Sequence, residues 1–363
     1  MKKIFHFLMI SGNIFVAVAL ILACLCSFVS PKAIWWIGFF GLAYMYLLVF
    51  NICFLIFWIC MRKKKYILIS LIPIIFGWTY IGKNVQIFGK TIPEEEMENS
   101  IKVLSFNVQG FEQVNWEQPD GSVMCIFDFL LKNDADIICM QEFVNRFWSR
   151  NMNEASIRSR LHKTPYYHMG LIYYEYIGVA TFSKHPIIRK EMVFSDSTIN
   201  VCISTDLLIG TDTIRVYNIH LKSIGFQVEE MDLLNNVLRS EYNRSDARIV
   251  KSIIRQISAA SFQRAKQVEI LVSHIEQSPY PVIICGDFND PPTSYSYRKV
   301  RGNRKDAFVE SGSGRSTTYD IGRIASLRID NILYSDYFKA YNYESPRVVL
   351  SDHFPVMCRL VKR

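Results

Sequence analysis

Val282-Ile283-Ile284-Cys285-Gly286-Asp287-Phe288-Asn289 is four apolar residues running into a glycine and an aspartate. Four such residues in a row suit a strand buried on both faces, and Gly-Asp-x-Asn ends it with turn chemistry. A carboxylate and an amide are therefore delivered at the end of a buried strand. The same arrangement recurs along the chain. Leu104-Ser105-Phe106 stops at Asn107, Ile137–Met140 at Gln141-Glu142, and Val216-Tyr217 at Asn218-Ile219-His220. Arg328-Ile329-Asp330-Asn331 opens another strand, and Ser351-Asp352-His353 stands just before Pro355-Val356. Singly, each has a bland reading: Asp and Asn after strands make turns, Glu142 suits a solvated rim, and His220 suits a hydrogen-bonded core. Together they supply carboxylates, amides and imidazoles at strand ends. That set suits a hard divalent cation, with imidazoles and amides left to hold phosphate oxygens and a water.

Outward from this stretch, short β-type runs predict strands at 102–106, 136–140, 178–182, 201–205, 213–219, 282–285, 329–333 and 356–360. Helical patterns at 125–131 and 260–276 lie between some of them. About 260 residues of alternating elements predict one layered α/β domain over 101–363. Residues 223–258 are charged and polar with helical fragments, and read as a helical insertion. Residues 84–100, with Pro93-Glu94-Glu95-Glu96, read as a linker.

LSFNV (104–108), DIICMQE (136–142), GVATFSKHPI (178–187), YNIHLKS (217–223), IICGDFND (283–290), RIDNIL (328–333) and SDHFPV (351–356) occur in one order. In that order the chain resembles the endonuclease/exonuclease/phosphatase superfamily over about residues 101–361. The resemblance implies a DNase-I-like fold, a four-layer α/β/β/α sandwich with its site at one end. It implies a metal-dependent phosphoric ester hydrolase using Mg²⁺, with Mn²⁺ as the alternative. Glu142 is the implied principal metal ligand, with Asn107 beside it and Asp352 as a second ligand or support. Asp287 would activate the attacking water, Asn289 would hold phosphate or water, and His220 would bind the scissile phosphate. Asp330 would orient His353, which serves as base or as transition-state cation.

The first 83 residues differ in kind. They hold 8 of the 41 basic residues and no acidic one, so the net charge of +8 belongs to them and the remainder is neutral. A pI of 8.9 is thus no sign of a nucleic-acid-binding surface on the folded domain. Three apolar runs, about 4–29, 33–61 and 66–82, predict about three transmembrane helices over 1–83. Lys2, Lys3 and Arg62–Lys65 mark the cytoplasmic side, which puts the catalytic domain outside the cytoplasm. The expected partners are the lipid bilayer and a phosphoester substrate, either nucleic acid or a lipid or small molecule. The contrasting expectation is a membrane-anchored binding protein of the same fold without catalysis. Nine cysteines show no CxxC spacing, so neither a disulfide framework nor a zinc site is indicated.

Overall fold

The computed structural model describes residues 1–112, 116–117, 123–174, 176–196, 199–225, 246–321 and 325–363. Twelve strands build two six-stranded sheets. They are β1 (Ser100–Asn107), β2 (Ile137–Val144), β3 (Tyr166–Ile172), β4 (Ile177–Ser183), β5 (Ile187–Ser195), β6 (Val201–Ile209), β7 (Asp212–His220), β8 (Val282–Asp287), β9 (Lys305–Asp306), β10 (Asp330–Tyr334), β11 (Phe338–Glu344) and β12 (Val356–Lys362). The first sheet runs β11-β12-β1-β2-β4-β3 and the second β9-β10-β8-β7-β6-β5. Each sheet has one parallel pair at its centre, β1 with β2 and β7 with β8; the other pairs are antiparallel.

Alternation along each strand creates three apolar layers. Val103, Ile137, Cys139, Val216, Ile283 and Cys285 meet between the sheets. Phe106, Ile138, Met140 and Phe182 face outward onto α6 (Ile126–Asn133) and α7 (Glu154–Arg160). Tyr217, Ile219 and Ile284 face α8 (Asp246–Glu276) and α9 (Tyr295–Arg301). The result is the expected four-layer DNase-I-like sandwich. The predicted helix at 260–276 is the second half of α8, which takes in the fragment 249–257 assigned to an insertion. The rest of that insertion, 226–245, lies outside the described residues.

The N-terminal segment corrects the expectation of three spans. Lys3–Leu25, within α1 (Lys2–Leu25), is long and apolar enough to cross a bilayer alone. The second run breaks at Ala43 into α2 (Ile37–Leu42) and the 17-residue α3 (Tyr44–Cys60). The third divides at Gly77 into α4 (Lys64–Phe76) and α5 (Trp78–Asn84), bent by 56°, and passes as a span only if the pair is counted as one. Pro73, lacking an N–H, and Gly77 are poor helix-interior residues, which accounts for the third break. One apolar helix at an N-terminus is shared by anchors and signal sequences.

The domain-facing end of this bundle is docked on the sandwich. Thr293 Oγ1 donates to Gly41 O at 2.8 Å, Cys26 Sγ donates to Thr293 O, and Arg328 Nη1 donates to Lys83 O at 2.7 Å. The segment expected as a linker lies along the domain. Val85-Gln86 pairs with Gly314-Arg315, Lys90 N donates to Ser311 O, and Asn342 N donates to Lys90 O.

Candidate active site

The parallel pair in each sheet carries polar residues to one end of the sandwich, and the two ends face each other. Asn107 closes β1 and its Nδ2 donates to Glu142 Oε1 and to Asp287 Oδ2, each at 3.2 Å. One amide thus joins carboxylates from both sheets. Simple alternation would turn Glu142 toward the helix layer, because Cys139 and Gln141 already face the opposite sheet. A bulge between Gln141 and Phe143 prevents this, with Glu142 at φ +50°. The extra residue re-aims the carboxylate into the site, at the cost of a left-handed backbone that a non-glycine residue rarely adopts.

Gly286 lets Asp287 reach its place. It sits at φ +141°, and a Cβ there would stand 2.0 Å from Ile219 O on the parallel neighbour. Asp287 is buried and accepts from Asn289 N at 2.7 Å and from Asn289 Nδ2 at 3.2 Å. Burial pushes its carboxyl above the ordinary range, against the pull of His353 and His220. Asn289, also left-handed at φ +51°, donates its Nδ2 to Leu221 O, which ties this turn to the end of β7.

Two histidines close the site. His220 Nδ1 lies 3.2 Å from Ile199 O, so a proton on it fixes the ring and aims Nε2 inward. That Nε2 has no hydrogen-bond partner and faces Glu142 Oε1 at 3.6 Å and Asp287 Oδ2 at 3.7 Å. His353 Nδ1 is held by Asp330 Oδ2 at 2.9 Å, and its Nε2 faces Asp287 Oδ2 at 3.7 Å. Burial pushes His353 down, but Asp330, Asp287 and Asp352 overcome it and carry the imidazole up to about 10. Asp352 is exposed at the mouth; crowding by the surrounding protein and the Glu142 charge raise its carboxyl, against the pull of His353.

All eight residues singled out in the sequence therefore converge. Others were not anticipated. Gln141 Nε2 donates to Asn218 Oδ1 at 2.7 Å, and Asn218 Nδ2 donates to Met140 O, Ala180 O and Thr181 Oγ1. Both amides are fully buried between the sheets, one residue before Glu142 and two before His220. Their signal was polarity at an inward strand position. Thr318 Oγ1 accepts from Asp330 N at 3.0 Å, and the Tyr319 ring lies 4.7 Å from that of His353. Nothing in their local sequence marks these two.

The geometry reads like the motif order. The family model "Endonuclease/Exonuclease/phosphatase family" matches residues 104–353. The chain belongs to this family. A second model, a domain of unknown function called DUF8431, matches residues 2–84. Similar solved structures include truncated Caenorhabditis elegans TDP2, at 17% identity over 72% of this chain and 98% of that one, TM-score 0.48. They also include humanized D. rerio TDP2, at 12% over 72% and 99%, TM-score 0.49. The human Nocturnin catalytic domain matches at 18% over 73% and 94%, TM-score 0.46. These likenesses concern the fold alone. No curated protein matches by sequence.

The residues fit a divalent cation. Asp287, Asp330 and His353 bring one ligand atom each within 4.8 Å of one another. However, His353 Nδ1 is already committed to Asp330, and Asp287 to two amides, so this trio is better suited to moving and holding protons. Glu142 and Asp352 are the carboxylates open to the mouth, and their mutual repulsion is what a hard cation relieves. Asn107 presents Nδ2 to the carboxylates and gives its Oδ1 to Gln109 N–H at 3.1 Å. In this orientation it braces Glu142, and its amide would have to turn over to coordinate a metal.

Proposed function

We propose that the protein is a divalent-cation-dependent phosphoester hydrolase held at a membrane by its N-terminal helices. The single observation that carries the catalytic part is the convergence of Glu142, Asp287, His220 and His353 from both sheets at one end of the sandwich. Glu142, with Asp352, would hold Mg²⁺ or Mn²⁺, which when bound neutralises charge on the phosphoryl and leaving oxygens.

The chain's own groups do the rest. Asp287, its carboxyl raised by burial, accepts a proton from the attacking water at Oδ2. Asn289 fixes that carboxylate through two hydrogen bonds. His353, kept cationic by Asp330, places an N–H beside the phosphoryl oxygens as negative charge develops on them. The unpartnered His220 Nε2, when it carries a proton, donates to a second phosphoryl oxygen. The Gln141–Asn218 pair keeps the two sheets in register so that these distances persist.

Full-chain protein in detergent should hydrolyse generic phosphoesters only with a divalent cation, and Glu142→Gln should raise the cation concentration needed. Full turnover in excess chelator would overturn the metal reading. No turnover with any cation would favour the binding-protein alternative. For topology, Lys2 and Lys3 ahead of α1 support an outside catalytic domain when α1 alone crosses the membrane. A C-terminal reporter that works only in the cytoplasm would refute that placement.

A further inference from the structure

The position of the site relative to the helical bundle bears on its substrate. Asn107 and His220 hold Glu142 and Asp287 together, so the loops leaving β2 and β8 start from the same rim. The loop after β8 meets the bundle within six residues of Asp287, at Thr293, which bonds to Gly41 and Cys26. Arg328, two residues before Asp330, bonds to Lys83 at the end of α5. Two catalytic segments therefore abut the end of the bundle where α1 terminates. If α1 crosses a bilayer, the polar–apolar boundary lies beside the catalytic mouth.

The loop after β2 carries Phe147 and Trp148, five and six residues beyond Glu142. They are 65% and 63% exposed. They are nevertheless ordered: Phe147 sits edge-on to Trp148 at 4.7 Å, and Trp148 stacks on Tyr176 at 5.3 Å. Arg146 ties the loop down through Gly110 O at 3.1 Å. The neighbouring hairpin turn, placed at this rim by the pairing of Val144 with Ile177, adds Tyr174 at 97% exposure. The segment between α1 and α2, at the domain-facing end of the bundle, also exposes Phe28, Trp35 and Trp36. Exposed aromatics of this size are costly in water. Aromatic side chains gain most at a bilayer interface, where the ring is buried and a polar end stays wet.

We propose that this aromatic rim seats the catalytic mouth on the bilayer surface, and that the substrate is the phosphoester headgroup of a membrane lipid presented from that surface. The inference rests on the hydrolase reading and deepens it. The ring contacts of Phe147 and Trp148 are with each other and with Tyr176, so their part is docking. The net charge of zero beyond residue 83 agrees, since it offers no overall attraction to a nucleic-acid backbone.

The test uses the full chain reconstituted in phospholipid vesicles, with a water-soluble aryl phosphodiester as the reference substrate. Wild type should release phosphorylated headgroup or phosphate from the vesicle lipid and also cleave the soluble ester. Phe147→Ser with Trp148→Ser should lower lipid turnover about tenfold or more and leave soluble-ester turnover unchanged. Independently, vesicles with brominated acyl chains should quench a fluorescence component present in wild type and missing in Trp148→Phe. Cleavage of the soluble ester with no attack on any vesicle lipid would overturn this inference and leave the hydrolase reading standing. So would a double variant equal to wild type on lipid, or an unquenched Trp148. Cleavage of neither substrate would overturn the hydrolase reading itself.

Discussion

Removing the Asn218 amide tests whether the two sheets are aligned by a polar clamp or merely pressed together. Asn218→Ala deletes an acceptor for Gln141 Nε2 at 2.7 Å and donors to Ala180 O at 2.9 Å, Met140 O at 3.2 Å and Thr181 Oγ1 at 3.3 Å. Asn218, Gln141 and Thr181 are all fully buried, so bulk water does not replace these bonds. Gln141 Nε2 would keep only Ser105 Oγ, at 3.3 Å. A buried donor left unsatisfied costs about 1–3 kcal/mol, and each lost neutral hydrogen bond about 1 kcal/mol. A loss of about 3 kcal/mol follows, or roughly 6–12 °C in Tm for a domain of this size. Thermal unfolding of the full chain in detergent reads the stability, and soluble-ester turnover reads the site. Turnover should fall about tenfold or more below the unfolding range, because Glu142 and His220 sit one and two residues beyond the clamp. In a double-mutant cycle, Gln141→Ala and Asn218→Ala should couple by about 1–2 kcal/mol. A stability loss below about 1 kcal/mol with unchanged turnover and no coupling would refute the clamp.

Three further outcomes are expected. His353→Ala should abolish most turnover, and adding Asp330→Asn should make it little worse, because the pair acts through one imidazole; additive losses in kinetic assays would separate them. Gly286→Ala should prevent folding or destabilise by more than about 4 kcal/mol, since its Cβ meets Ile219 O at 2.0 Å; Gly210→Ala, with nothing within 4 Å, should cost only about 1–2 kcal/mol in the same unfolding assay. His168 bonds to Thr205 Oγ1 across the sheets at 2.8 Å, and burial, aided by Lys190, depresses it to about 4. Its unfolded form near 6.5 binds the proton first, so stability should be full above that pH and fall by about 2 kcal/mol between pH 7.5 and 5. His168→Gln should flatten that part of the pH profile, and an unchanged slope would rule the histidine out as its source.

The eight strands predicted from composition are all present, and all lie inside their sheets. Of the twelve strands in the two six-stranded sheets, the four that escaped, β3, β5, β9 and β11, are the four edge strands. An edge strand needs less apolar sequence, and Ile187-Ile188-Arg189-Lys190-Glu191 and Phe338-Lys339-Ala340-Tyr341-Asn342 are mixed accordingly. A buried central strand leaves a continuous apolar run, which is readable without partners. The bundle was harder for a related reason. Hydropathy counts apolar residues but does not register that a run divides at Ala43 or bends at Gly77.

The sequence by itself determined which residue types stand at which strand ends, because glycine, aspartate and asparagine stop a strand locally. It also determined that the positive charge belongs to the first 83 residues. Only the tertiary structure decided which way those residues point. Alternation turns Glu142 away from the site and a left-handed bulge turns it back. Gly286 is required by the carbonyl of a strand more than sixty residues away in the chain, and Asp330 meets His353 where Thr318 accepts from Asp330 N and Phe354 N donates to Thr318 O. Each of these depends on contacts between segments remote in the chain. Such contacts leave little trace in local composition, because the energy that sets them comes from packing two sheets face to face.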